Sequence, residues 1–142
     1  VNSYCGMSAV RITPSCTVCE SLEVAECATS FQIQLVSKLL KQCVLRACPV
    51  IGTPCWEYTG ATCNKRYAHF SWWDPLLKRQ FWKRGHIWLW ELVTGRKVQD
   101  GYTLDHQCLN TKCVRPEHLE EVTRARNTAR GNRTRHGYAA EA

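Results

Sequence analysis

Cys108, Cys113 and His118 put two thiols and an imidazole into one short loop, and nothing else in the chain limits the fold so strongly. Two thiolates around a four-residue gap, followed by an imidazole one short turn later, supply three ligands for a tetrahedral Zn²⁺ ion. The fourth must come from elsewhere. Cys55 is the best candidate, because it starts a strand just before Trp56 and can be carried beside the loop when the strands fold back. Such a site is closed: with three sulfurs and one nitrogen no position remains for water, so the ion pins the loop and activates no nucleophile.

The chain has ten cysteines in 142 residues, enough for a disulfide framework as well as for zinc. Short cysteine spacings accompanied by histidine favour zinc, and no basic segment followed by an apolar one opens the chain at Val1. The cytoplasm is therefore the expected compartment, and a secreted disulfide-rich basic protein is the alternative. The length suits one domain with a small extension. Apolar runs are too short to cross a bilayer, so a soluble protein without a membrane partner is expected.

The formal charge is +7. Its excess lies in Lys78, Arg79, Lys83, Arg84, Arg96 and Lys97, and again in Arg124, Arg126, Arg130, Arg133 and Arg135. Clustered cations of this kind are the footprint of a polyanion partner, with a solvated basic face as the plainer reading.

Residues 1–30 show little apolar periodicity and read as a loop-rich cap. The spacing of Phe31, Leu35 and Leu39 with Val36, Leu40 and Val44 predicts an amphipathic helix over Ser30–Ala47, with Ser30 as N-cap and Pro49 as its stop. Alternating aromatics from Cys55 to His86, broken at Asp74-Pro75, predict two or three antiparallel strands. Ile87, Trp90 and Leu92 have helical spacing, ended by Gly95. Asp100-Gly101 then turns the chain into the strand "YTLDH", and "HLEEV" gives another. Thr123 caps a last helix, "RARNTAR", which Gly131 closes.

Asp105, His106 and Asn127 remain around the zinc loop. Neighbours on a strand point to opposite faces, so Asp105 and His106 share a pocket only where the strand ends or twists. Asp105 and Asn127 offer oxygen ligands suited to Mg²⁺, which keeps several waters and accepts phosphate oxygens. His106 can take a proton from a water aimed at phosphorus while the metal stabilises the departing 3′-oxygen. These are the parts of a phosphodiesterase.

The segments "CWEYTGA", "RYAHFSWW", "GHIWLWELVTG" and "GYTLDHQCLNTKCVRPEHLEEVTRARNTARG" together resemble the HNH endonucleases, in the branch shared by phage HNH proteins and His-Cys box homing endonucleases. The resemblance implies an antiparallel sheet plus a zinc-stabilised ββα-metal motif over 51–135; with the residues before it read as a helical, cysteine-containing N-terminal cap over 1–50 and 136–142 as a tail, the expected fold class is α+β. It implies His106 as general base, Asn127 as a catalytic ligand for Mg²⁺ or Mn²⁺, and Asp105 as the second ligand, which His-Cys box members can lack. It also implies Cys55, Cys108, Cys113 and His118 as the structural zinc set. Phage relatives usually show His-Arg where this chain has His86-Ile87, so the cation that steadies the scissile phosphate is sought at Arg84, with Arg130 second.

The expected activity is hydrolysis of double-stranded DNA to 5′-phosphate and 3′-hydroxyl ends. Lys78, Arg79, Lys83, Arg84, Arg124, Arg126, Arg130 and Arg133 would hold the backbone, and alternating residues of "RYAHFSWW" and "KRQFWKR" would enter a groove. Cutting both strands at a symmetric site would need two active sites, hence a homodimer. The compartment is then the cytoplasm of a bacterial or phage-infected cell, or a nucleus or organelle for a eukaryotic homing enzyme. A zinc-stabilised DNA-binding module without catalysis is the alternative. Cys16, Cys19, Cys43 and Cys48 form a candidate second zinc set, from "CTVC" and "CVLRAC", in which Cys5, Cys27 or Cys63 could replace a member; scattered buried thiols are the plainer reading. His69, His86 and His136 receive no role. Trp72, Trp73, Trp82, Trp88 and Trp90 are expected mostly in the core, with one or two free to touch DNA.

Overall fold

The computed structural model describes the backbone of residues 9–12, 22–25 and 29–135, with side chains for 29–130. Cys5, Cys16, Cys19, Cys27 and the tail from His136 lie outside the described residues. In the cap, where loops were expected, Ala9–Ile12 (β1) and Leu22–Ala25 (β2) pair antiparallel.

The first helix, α1, spans Ser30–Lys41. Thr29, not Ser30, is its N-cap: Thr29 Oγ1 accepts from Gln32 N at 3.1 Å, and Gln32 Oε1 accepts from Thr29 N at 2.8 Å, so each satisfies an orphan donor of the first turn. The expected helix to Ala47 is corrected, because Cys43–Arg46 is a strand (β3) paired with Cys55–Tyr58 (β4). Gln42 makes the break: its carbonyl accepts from Thr59 N at 2.8 Å and Thr59 Oγ1 at 2.6 Å, and the next residues bond to β4 instead of to the helix. Val44, read as part of the helix's apolar stripe, is 40% exposed.

Thr62–Cys63 (β5), Tyr67–Asp74 (β6) and Arg79–Arg84 (β7) form an antiparallel sheet in that order. Asp74-Pro75 makes the turn as predicted. Helix α2, Gly85–Thr94, ends at Gly95 with φ 76°, a left-handed cap that glycine takes without steric cost. Gly85 is needed for packing: a Cβ there would stand 3.0 Å from Ala68 Cβ and 3.4 Å from Leu39 Cδ1, so its bare backbone lets α2 close on β6 and α1. Leu39, Leu40, Phe70, Leu89 and Val114 are fully buried at this junction. Truncating one such leucine to alanine costs about 2–5 kcal/mol.

Tyr102–His106 (β8) and Leu119–Thr123 (β9) pair antiparallel, with Asp105 opposite Glu120 and His106 opposite Leu119. A short 3₁₀ turn, Pro116–His118, precedes β9. Thr123 Oγ1 accepts from Arg126 N at 3.2 Å, capping α3 as read from the sequence. The expected stop at Gly131 is corrected: α3 runs over Arg124–Arg135. A glycine inside a helix costs about 1 kcal/mol against alanine but does not break it. Trp88 and Trp90 are buried as expected, together with Trp56, whereas Trp73 and Trp82 are each 55% exposed. No described helix is long and apolar enough to cross a membrane.

Candidate nuclease site and metal centre

The edge of β4 carries the cysteine loop. Val114 N donates to Trp56 O at 2.9 Å and Tyr58 N to Lys112 O at 2.9 Å, so the loop lies along β4 and Cys55 comes beside it. Cys55 Sγ, Cys108 Sγ, Cys113 Sγ and a His118 ring nitrogen all fall within 4.8 Å of one another, and all four residues are buried. His118 Nδ1 faces Cys55 Sγ at 3.6 Å and Cys113 Sγ at 3.8 Å, while its Nε2 bonds Thr53 Oγ1 at 2.7 Å. That outer hydrogen bond fixes the ring with Nδ1 turned toward the sulfurs, the usual arrangement behind a metal-ligating histidine.

Thiols this close oppose one another's ionisation. Burial and the neighbouring Cys108 push Cys55 up to about 12, and the Cys108 hydrogen bond with burial pushes Cys113 up. Cys108, hydrogen-bonded by Cys113, is drawn down to about 5. A divalent cation among the three sulfurs removes this opposition, and the S₃N set, buried and closed, fits a metal such as zinc. Leu109, between the ligands, sits at φ 64°, a left-handed turn unusual for leucine.

Cys43 and Cys48 are not brought together. Cys43 is packed in the main core and bonds Leu39 O at 3.4 Å, whereas Cys48 lies against the Cys55, Cys108 and Cys113 cluster. Their separation argues against the second zinc set, and Cys16 and Cys19 lie outside the described residues. Cys63 pairs instead with His69 Nδ1 at 3.4 Å.

Beside the metal cluster opens a cavity of about 500 Å³ lined by Asp105, His106, Asn127, Arg84 and Arg130, among others. The structure thus brings the five sequence-chosen residues to one place. The strand ends at His106, with Leu109 N returning to His106 O at 3.0 Å, and four consecutive residues of β8, Thr103 to His106, border the cavity. His106 Nε2 donates to Cys113 O at 3.1 Å, which leaves Nδ1 as the accepting nitrogen. Burial lowers its pKa to about 4, so the ring is neutral. Cys113 therefore serves twice, with its sulfur in the metal cluster and its carbonyl on His106.

Asp105 Oδ2 receives Arg130 Nε at 3.3 Å and Gln107 Nε2 at 3.1 Å, so Oδ1 is the oxygen left for another partner. Burial raises its pKa, against the pull of Arg130, and Glu120 across the ladder raises it further. Arg130 also bonds Gln107 Oε1 at 3.2 Å, so the second candidate for a phosphate-steadying cation is already engaged. Arg84 lies with its guanidinium carbon 4.8 Å over the Tyr67 ring.

Three lining residues were missed. Arg66 stands 5.4 Å over the Tyr67 ring, on the same aromatic platform as Arg84. Tyr67 stacks on His86 at 5.4 Å, and His86 lies 4.6 Å from the His106 ring. His86 is 3% exposed, and its Nδ1 has no hydrogen-bond partner. Burial, then the neighbouring His106 and Arg84, holds its pKa well below the usual histidine range. Arg66 and Tyr67 belong to the "RYAHFSWW" stretch expected to enter a groove and not to the cavity, and His86 carries no spacing signal that separates a packed histidine from a site residue.

Of the expected backbone-binding cations, Lys83 is engaged by Glu91 at 3.0 Å and Arg126 by Glu120 at 3.6 Å. Lys78 and Arg79 sit exposed at the β6–β7 turn, and Arg124 is exposed at the start of α3. The Arg133 side chain lies outside the described residues.

Residues 83–129 match the family model described as HNH endonuclease, from Lys83 in β7 through the cavity to α3. The resemblance read from the sequence is met over that stretch. The chain is also 38% identical over 50 residues to a protein of Enterobacteria phage T3 recorded as "Uncharacterized gene 5.3 protein". That similarity takes in 35% of this chain and 48% of the phage protein, about half of its length. No solved structure matches. The HNH endonuclease match suggests nuclease activity, and DNA is what HNH nuclease domains act on.

Proposed function

We propose that this chain is a divalent-cation-dependent endonuclease that hydrolyses double-stranded DNA to 5′-phosphate and 3′-hydroxyl ends. The observation that carries the reading is the commitment of His106 Nε2 to the Cys113 carbonyl, within the cavity that Asp105 and Asn127 also line. Proton and lone pair are thereby assigned: Nδ1 accepts a proton from the water that attacks phosphorus. Asp105 Oδ1 and the Asn127 carboxamide oxygen hold Mg²⁺ or Mn²⁺, which when bound supplies positive charge at the departing 3′-oxygen. Arg84 neutralises the scissile phosphate, steadied on the Tyr67 face. Cys55, Cys108, Cys113 and His118 hold Zn²⁺ and keep the loop, and through Cys113 the base, in place. A bacterial or phage-infected cell supplies the duplex, and two copies of the chain would cut both strands of a symmetric site.

Supercoiled plasmid incubated with the protein and Mg²⁺ becomes nicked or linear, and EDTA in excess of Mg²⁺ stops it. The ion pair between Arg130 and Asp105 favours one rival, a zinc-stabilised DNA-binding module whose carboxylate is already neutralised. Retarded plasmid without breaks, at every divalent cation tried, would decide for that rival.

A further inference from the structure

The β6–β7 ribbon leads away from the cavity and ends in two leucines that no described residue covers. At its base His69 pairs with Arg84, which lines the cavity, and at its tip Asp74 pairs with Arg79. About five residue steps of roughly 3.3 Å separate the two pairs, a reach of about 17 Å, the length of about five base pairs. Leu76 is 91% exposed and Leu77 is 64% exposed. The turn that presents them is built: Asp74 Oδ1 accepts from Leu76 N at 2.8 Å and Leu77 N at 3.0 Å, and Asp74 O accepts from Lys78 N at 2.7 Å. An aspartate used in this way fixes the backbone and keeps the leucines turned outward.

The surroundings fit a polyanion. Asp74 is the only acid between Tyr67 and Arg84, and its Oδ1 is spent on the turn, while Lys78 and Arg79 flank the leucines. Residues opposite one another across the ladder share a face, so Trp73, Trp82 and Arg84 look out on one side of the ribbon. That side runs from the exposed tryptophans to the cavity, and the other, with Phe70 and Trp72, packs on the core. Cations on a stem, an apolar tip and a continuous path to the cavity are the chemistry of proteins that push a wedge between base pairs.

We propose that the β6–β7 ribbon lies along duplex DNA and that Leu76 and Leu77 enter a base step about five base pairs from the cleaved phosphate, unstacking it and kinking the helix. This rests on the nuclease reading above, and it adds a place where the duplex is deformed. The wedge makes binding sensitive to the stacking strength of a step that need not be read by any hydrogen bond.

The test uses the full, zinc-loaded chain, with Mg²⁺ left out and no chelator added during fluorescence measurements. Cleavage positions are mapped with Mg²⁺ by run-off sequencing, and 2-aminopurine is then placed at successive positions on either side. Fluorescence should rise at one step about five pairs from the break. In the Leu76→Ala/Leu77→Ala variant the rise should vanish and affinity should drop about tenfold. Leu76→Met/Leu77→Met, which keeps an apolar tip, should restore both. Thermal denaturation should be unchanged, since neither leucine is covered. Fluorescence flat at every position, or equal in parent and alanine variant, overturns the wedge while leaving parental cutting intact. An alanine variant that turns a dimer into a monomer in sedimentation, with the fluorescence rise retained, assigns the tip to a second copy and also overturns it. A parent that neither cuts nor binds duplex DNA would remove the nuclease reading and the wedge together.

Discussion

The substitution His106→Gln separates the chemistry proposed for the imidazole from its structural work. The ring is 6% exposed, bonded through Nε2 to Cys113 O at 3.1 Å, and lies 4.6 Å from the His86 ring. Glutamine keeps an N–H donor at the end of a side chain of similar reach, so the Cys113 carbonyl need not be orphaned. It has no basic nitrogen. Loss of the hydrogen bond alone would cost about 1–3 kcal/mol, which the amide largely avoids. Loss of a general base lowers the rate by about 10²–10⁴, equivalent to roughly 3–5.5 kcal/mol in the barrier. The two costs are read by different assays: thermal denaturation and metal content report the fold, and timed conversion of supercoiled to nicked plasmid under single-turnover conditions reports the chemical step. We expect near-parental melting, undiminished metal and duplex binding, and cutting slowed by about 10²-fold or more. His106→Ala should slow cutting as much, with a lower melting temperature because the Cys113 carbonyl loses its donor. A His106→Gln protein that cuts within about tenfold of the parent would refute the assignment, since so small a loss is below what a general base contributes.

Replacing Cys55 by serine should remove bound zinc, measured by elemental analysis, and destabilise the chain by several kcal/mol, because the remaining three ligands no longer close the site; unchanged zinc content would exclude Cys55 as a ligand. Glu121, bonded by Arg96 at 2.7 and 3.2 Å, has its pKa held below the usual carboxylate value, first by the Arg96 hydrogen bonds. The stability it contributes, about 1–3 kcal/mol, is present above the carboxylate's unfolded-state pKa and is lost as pH falls through the folded one. Glu121→Gln should therefore lower denaturant stability at neutral pH and flatten its decline on acidification, and an acid limb equal to the parent's would contradict this. Replacing Lys78 and Arg79 together by alanine should reduce the slope of log affinity against log salt by about 2, measured by fluorescence anisotropy on duplex DNA; an unchanged slope would take the turn away from the phosphates.

The metal cluster and the cavity are neighbours through one residue. Cys113 gives its sulfur to the buried cluster and its carbonyl to His106, and the loop that carries it is bonded to β4 by Val114 N and Tyr58 N. One residue thus faces both the cluster, through its sulfur, and the His106 ring, through its carbonyl.

Local signals in the sequence were sufficient for most elements of the second half. Gly95 and Asp100-Gly101 stop and turn the chain where their backbone freedom is needed, and Thr123 caps α3 by a side chain that acts within one turn. The grouping of Cys108, Cys113 and His118 was likewise legible, since soft ligands at short spacing have few other uses, whereas Cys55 came from outside the loop. The end of α1 was not: the apolar spacing continues to Val44, and only the bonds from Thr59 to the Gln42 carbonyl and the ladder to β4 divert it. Nor was His86, whose approach to His106 depends on the packing of α2 against β6 and β8, or the engagement of Arg130 by Asp105 and Gln107.

The sequence by itself determined which atoms are available: soft ligands in one loop, an acid, an imidazole and an amide around it, and cations in two clusters. Their types and spacing are covalent facts, and ligand chemistry reads them without a fold. Only the tertiary structure decided which of these groups face one another. It placed Cys55 against a loop more than fifty residues away, turned His106 by a bond to a carbonyl, and left Leu76 and Leu77 in solvent, because contacts between distant segments are fixed by the packing of the whole and not by any local preference.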